Sequence, residues 1–159
     1  MVAPTILVDG RSGSGKTTYA TELGCKLGWR VVHMDDFYPG WWGLAAGAQM
    51  VARDVLRLDQ PGFRRWNWEL SEPGQWVSLD PGEPLIVEGV GAVTAASVAA
   101  ARLRGPALSV RIDCAAHIRK RRALSRDPDF AEWWDMWAVQ EEEFLSQSVP
   151  VDLTLIVDC

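Results

Sequence analysis

Short unbroken apolar runs alternate along the chain with longer stretches in which apolar positions return every three or four residues. The runs TILVDG, RVVHM, PLIVEGV, ALSVRID and DLTLIV have strand length and strand composition. Between them, GKTTYATELGCKLG predicts a helix closed by Gly28, and WWGLAAGAQMVARDVLRL predicts another from about Leu44. TAASVAAARLR is a third. AAHIRKRRALSR and DFAEWWDMWAVQEEEFLSQ are two more, separated at Asp127-Pro128. The Pro- and Gly-rich stretch RRWNWELSEPGQWVSLDPGEP reads as loop or short extended pieces. The strand runs lack polar/apolar alternation, as expected when both faces of a sheet are covered. The expected class is therefore α/β: a five-stranded parallel sheet with helices on both faces, in one domain over residues 1–159. In such sheets ligands sit beyond the carboxyl ends of the strands, where DGRSG, DDFY and EGVG all fall.

GRSGSGKT, residues 10–17, fits G-x-x-x-x-G-K-[ST] between an expected strand and an expected helix. Gly10, Gly13 and Gly15 let the backbone curl so that successive N–H groups point at one anion. The helix N-terminus adds partial positive charge. With Arg11, Ser12, Ser14 and Thr18 they form the expected nucleotide-phosphate cradle. Lys16 can reach the β- and γ-phosphates, and the Thr17 hydroxyl can ligate Mg²⁺. This motif makes the α/β sheet a three-layer P-loop NTPase fold.

HMDDFYPGWW then sets two carboxylates, Asp35 and Asp36, beside several rings. Transfer of a phosphoryl group to an alcohol needs a base for the incoming hydroxyl, and an Asp can serve. Tyr38 and Trp42, with Trp41, stand where an acceptor with a flat or apolar face could stack. His33 is expected to be a packed strand residue, and His117 to lie on an exposed helix turn. Trp133, Trp134 and Trp137 fit one helix face and suit core packing or lid docking.

From Thr5 to Asp158 these motifs resemble the uridine kinase, phosphoribulokinase and pantothenate kinase group of P-loop kinases. MDDFY resembles that group's Asp-x-Phe motif, which implies Asp35 as the base and Asp36 as the variable position. IVEGV resembles its Glu-Gly, implying that Glu88 holds magnesium through water, with Thr17 and Asp35 as the other metal candidates. IDCAAHIRKRRALSRD resembles an Arg-rich lid, about residues 114–129, that closes over ATP. Arg119, Arg122 and Arg126 fall on one helix face and could neutralise charge on the transferring phosphoryl group. WNWE is similar to a segment whose acid binds ribose hydroxyls, which implies that Glu69 binds substrate and that the acceptor is nucleoside-like. Here Glu replaces Asp, and LSEP follows in place of His-Pro. The resemblance implies an ATP- and Mg²⁺-dependent kinase with a small-molecule hydroxyl acceptor.

Charge and composition narrow the picture further. A net charge of −5 provides no general basic field for nucleic acid or an anionic membrane. The cysteines, Cys25, Cys114 and Cys159, are odd in number and widely spaced, so neither a disulfide framework nor a zinc site is expected. They read as ordinary small core or terminal residues. MVAPTILVDG lacks a basic leader, and no apolar run approaches a membrane span, so the expectation is a cytoplasmic protein. Two alternatives stay open. Arg53, Arg57, Arg64 and Arg65 could grip an anionic or phosphorylated acceptor, or the chain could be a nucleotide-binding module without transfer chemistry. No Asn-Lys-x-Asp motif of guanine binders occurs.

Overall fold

The computed structural model describes residues 2–157; Asp158, where the resemblance ends, and Cys159 lie outside the described residues. In chain order the elements are β1 Thr5–Asp9, α1 Lys16–Leu27, β2 Arg30–His33, α2 Leu44–Met50, β3 Gly62–Asn67, β4 Glu72–Ser78, β5 Leu85–Glu88, α3 Ala95–Arg104, β6 Ala107–Asp113, α4 Ala116–Arg126, α5 Trp134–Leu145 and β7 Leu153–Ile156. Every strand and helix expected from the hydrophobic pattern is present. The main sheet has five parallel strands in the order β2-β5-β1-β6-β7.

The central strands are buried along their whole length, which explains their continuous apolar character. Successive side chains leave a strand on opposite faces. In β1, Ile6 and Val8 pack with Ala20 of α1. Leu7 packs on the other face, in the cluster that holds Leu44 of α2, Ala101 of α3 and Trp137 of α5. The result is three layers.

The chain leaves β1 toward β2 on one side and later reaches β6 on the other, so the switch point lies at β1. Asp9, at the end of β1, is buried and accepts hydrogen bonds from the backbone N–H groups of Gly10 (2.7 Å), Gly91 (3.2 Å) and Val93 (2.9 Å). Burial pushes its carboxyl up, while the three amides pull it back. Asp9 thereby ties the loop after β5 to the loop after β1.

Two expectations need correction. RRWNWELSEPGQWVS is not loop but an antiparallel hairpin, β3–β4, standing apart from the main sheet. A register shift between Arg64 and Trp66 breaks the two-residue alternation that would have revealed it. Its turn is closed by the Asn67 side-chain oxygen, which accepts from the N–H groups of Glu69 and Leu70 at 3.1 Å each. Of the cysteines, Cys25 is free and exposed, but Cys114 is buried and disulfide-bonded rather than an ordinary core thiol. No helix among the described residues is long and apolar enough to cross a membrane.

Candidate active site

The loop from Gly10 to Gly15 turns directly into α1. Gly15 occupies the N-cap with φ 94°, and Gly13 has φ 80°, backbone that side-chain-bearing residues rarely adopt. A Cβ on Gly13 would also strike the backbone of Arg119 at the loop's back. Two bonds brace the loop there: Glu141 of α5 accepts from the Ser12 N–H at 2.8 Å, and a guanidinium nitrogen of Arg119 donates to the Ser12 carbonyl at 3.4 Å. Lys16 lies along the loop, its Nζ 3.5 Å from the Arg11 carbonyl. Ser14 Oγ is buried with no hydrogen-bond partner among the described residues, an orphaned donor that an anion in the loop would satisfy.

Three strand ends meet in front of Lys16. His33 and Glu88 are register partners on β2 and β5, and their side chains join at 2.7 Å through Nδ1 and Oε1. The Thr17 hydroxyl donates to the same Glu88 oxygen at 3.1 Å. Burial would push the Glu88 carboxyl up, but the His33 bond, Lys16 and Thr17 together hold it below its ordinary value. The His33 imidazole is raised in turn, chiefly by Glu88. Asp35 follows on the short 3₁₀ turn Met34–Asp36. Its carboxyl opens onto a cleft, and the crowding of the cleft walls pushes it up, opposed by the Lys16 charge.

A cavity flanks the loop on each side. The outer one, about 460 Å³, is walled by Gly13, Ser14, Gly15, Thr18 and Arg122, with Arg126 at its edge. A guanidinium nitrogen of Arg122 lies 3.7 Å from where a Gly15 Cβ would stand. The inner one, also about 460 Å³, reaches Lys16, Thr17 and Asp35 and again Arg126. Its far wall is aromatic. Trp41 stacks on Trp133 with centroids 5.5 Å apart and planes at 8°, and meets Trp68 at 5.0 Å and Phe130 at 5.2 Å. The indole N–H of Trp68 donates to the Asp35 carbonyl at 2.9 Å, pinning the hairpin tip over the carboxylate.

No family model matches the chain, and no curated protein does. Solved structures do. A possible uridine kinase from Bacillus stearothermophilus superposes with a TM-score of 0.56 at 19% identity, covering 98% of this chain and 89% of that one. APS kinase from Mycobacterium tuberculosis, solved with AMPPNP and APS, gives 0.56 at 21% identity, covering 99% and 90%. Shikimate kinase from Acinetobacter baumannii, in complex with shikimate, gives 0.53 at 17% identity, covering 99% and 85%. The chain has the fold of the P-loop small-molecule kinases.

On that P-loop kinase fold most of the expected site residues converge. Lys16, Thr17, Asp35, Glu69 and Arg126 line the inner cavity, and Arg122 the outer. Others are placed differently. Arg119 is only 6% exposed and faces the loop's back, donating to the carbonyls of Cys114 and Ser12, so it braces the loop rather than reaching a phosphoryl group. Arg11 turns outward to pair with Glu142 at 2.6 Å. Gly10 lines neither cavity, and its N–H is held by Asp9. Trp42 is 69% exposed and outside the inner cavity; its neighbour Trp41 takes the place expected for it. Tyr38 is a wall of the inner cavity, but its hydroxyl is spent on the Val90 carbonyl at 2.7 Å and cannot serve an acceptor.

The arginines proposed for an anionic acceptor are elsewhere. Arg53 pairs with Asp54, Arg64 covers Trp76, Arg65 stands 3.8 Å from Asp36, and Arg57 lines neither cavity. Sequence reasoning missed three site residues. His33 is not a plain packed residue but the partner of Glu88. Glu141 and Trp68 carried a signal only in hindsight of the fold: Glu141 follows Trp134 and Trp137 on one helix face, and Trp68 sits at the hairpin tip.

Proposed function

We propose that the chain is an ATP- and Mg²⁺-dependent phosphotransferase that acts on a hydroxyl of a small molecule. The observation that carries this reading is the pair of cavities flanking the phosphate loop, the outer one floored by the loop and the inner one holding Lys16 beside Asp35. The outer cavity takes the nucleotide, with its phosphates on the loop amides and Ser14. The inner cavity takes the acceptor. A site for nucleotide binding alone would not need a second cavity opening onto a carboxylate beside Lys16.

In the transfer, the acceptor oxygen attacks the γ-phosphorus and its proton passes to Asp35. The bond from the γ-phosphorus to the bridging oxygen breaks, and ADP leaves. A carboxyl raised from its ordinary value is a stronger base than an unperturbed Asp, and the Lys16 charge opposes that rise. Lys16, Arg122 and Arg126 balance the charge spread over the phosphoryl oxygens. The donor set of Thr17 and Glu88 is all oxygen and fits a hard cation, while Asp35 faces the acceptor. Among the described residues no three His, Cys, Asp or Glu side chains gather into a cage, consistent with Mg²⁺ held jointly with nucleotide phosphates. When bound, Mg²⁺ would neutralise charge on the β- and γ-phosphates.

Asp35→Asn keeps the shape of the side chain and removes its basicity. Single-turnover transfer from γ-labelled ATP, measured across a set of hydroxyl compounds, should fall about 10²-fold or more in this variant. Full activity would show that the acidic pair is structural and would overturn the mechanism.

A further inference from the structure

The inner cavity has a chemistry that selects among acceptors. Its wall carries the faces and edges of Trp41, Trp68, Trp133 and Trp137. Its carboxylates outnumber its cations: Asp35, Glu69, Asp127 and Asp129 against Lys16 and Arg126. Both cations lie toward the phosphate loop, and Arg126 also lines the outer cavity, so neither is free for the acceptor's far end. The side chains of Glu69, Asp127 and Asp129 make no hydrogen bond or ion pair with any described residue, although each lines the cavity. The rings keep some exposed surface as well: Trp68 is 37% exposed, and Trp41 and Trp133 are half-buried. Among the described residues the one recorded cation over a ring is Arg64 on Trp76, outside this cavity.

Exposed tryptophan surface bounded by unpaired carboxylates attracts a cation on two counts. The ring quadrupole draws it, and the carboxylates compensate its charge as water is expelled. An anionic acceptor would meet the opposite: three unpaired carboxylates and no arginine to grip it. A neutral one would gain nothing from the carboxylates' charge. A cavity of about 460 Å³ suits a small molecule rather than a polymer.

We infer that the acceptor is a hydroxyl compound bearing a protonated amine or quaternary ammonium, seated with its cation in the Trp41/Trp133 wall and its hydroxyl at Asp35. This rests on the kinase reading and specifies its substrate class. The transfer is balanced as for any alcohol: the hydroxyl proton goes to Asp35, the ester O–P bond forms, and ADP is released, while the cationic group takes no part in the chemistry.

The experiment uses the full chain loaded with ADP and Mg²⁺. It titrates hydroxyl compounds in size-matched triples, each with an ammonium, a neutral and a carboxylate member; choline, 3,3-dimethylbutan-1-ol and 3-hydroxybutyrate make the first. Binding is read by tryptophan fluorescence and calorimetry. Ammonium members should bind tighter than their neutral partners by roughly tenfold, and carboxylate members weakest. Asp129→Asn and Trp133→Leu should each erase most of that preference while leaving ADP affinity unchanged. Equal or reversed ranking overturns the inference, as does absence of ammonium binding in protein that binds ADP. Protein that is folded yet fails to bind ADP would instead sink the kinase reading itself, so the two failures are separable.

Discussion

The two cavities beside Lys16 have similar volume and opposite construction. The outer one centres on one stretch of chain, the loop glycines and the start of α1, closed by one face of α4 and by Ile112, Leu155 and Val157 around the ends of β6 and β7. The inner one gathers widely separated pieces: Lys16 and Thr17 at the start of α1, the turn after β2, the hairpin tip, Val90 after β5, the α4–α5 connection and α5 itself. Behind the loop a buried brace of Glu141, Arg119 and Ser12 holds the shared floor. In the inner cavity the contacts are largely ring against ring, and its polar ties, Tyr38–Val90, Gln140–Trp41 and Trp68–Asp35, all run to backbone carbonyls with no charged partner. A phosphate is the same in every nucleotide, so its site can be local and rigid. An acceptor site must suit one molecule, and side chains from separate segments can be varied without disturbing the loop.

Breaking the brace should have the largest effect on stability. Glu141→Ala leaves the Ser12 N–H and the Arg119 guanidinium without their buried carboxylate, and should cost about 2–4 kcal/mol in chemical denaturation. Trp133→Leu on the aromatic side should cost about 1 kcal/mol. Equal costs would remove the contrast between a locked floor and an adaptable wall. A smaller effect is expected from Arg122→Ala, which removes a cation from the outer cavity alone. Nucleotide affinity should fall roughly tenfold, about 1.4 kcal/mol, by calorimetry, with binding in the inner cavity unaffected.

The smallest effect concerns pH. Glu88 is held below its ordinary value, so its contribution is present above the unfolded carboxyl pKa and is lost as pH falls through the folded value. His33 is raised, so its contribution is full below the unfolded imidazole pKa and is lost as pH rises through the folded value. The pair therefore stabilises most between about pH 4.5 and 6.5. His33→Asn should flatten the melting-temperature profile there by about 2 °C, small because the imidazole is partly solvated. An unchanged profile would mean that the pair adds nothing.

The same contrast explains what was legible in the sequence. Strands and helices follow from local apolar pattern, and GRSGSGKT is legible because its eight consecutive positions build one loop and helix start. Residue type did not reveal direction: Arg11 and Arg119 have the charge for phosphate but turn outward or behind the loop. Helical spacing put Arg119, Arg122 and Arg126 on one face, yet α4 crosses the loop so that only the last two reach the inner or outer cavity. The hairpin was hidden by its register shift, and with it Trp68. His33 was hidden because its role depends on strand order, which places β2 beside β5.

The division of labour across Lys16 is tested most directly by calorimetric titration of Mg²⁺·ATP into wild-type, Lys16→Ala and Asp35→Asn protein. Lys16→Ala should lower the affinity at least tenfold, roughly 1.4 kcal/mol, because it removes a charged contact to phosphate. Asp35→Asn should leave it within about twofold, because the altered group faces the acceptor. Unchanged affinity in a folded Lys16→Ala variant, or an equal loss in Asp35→Asn, would contradict the account.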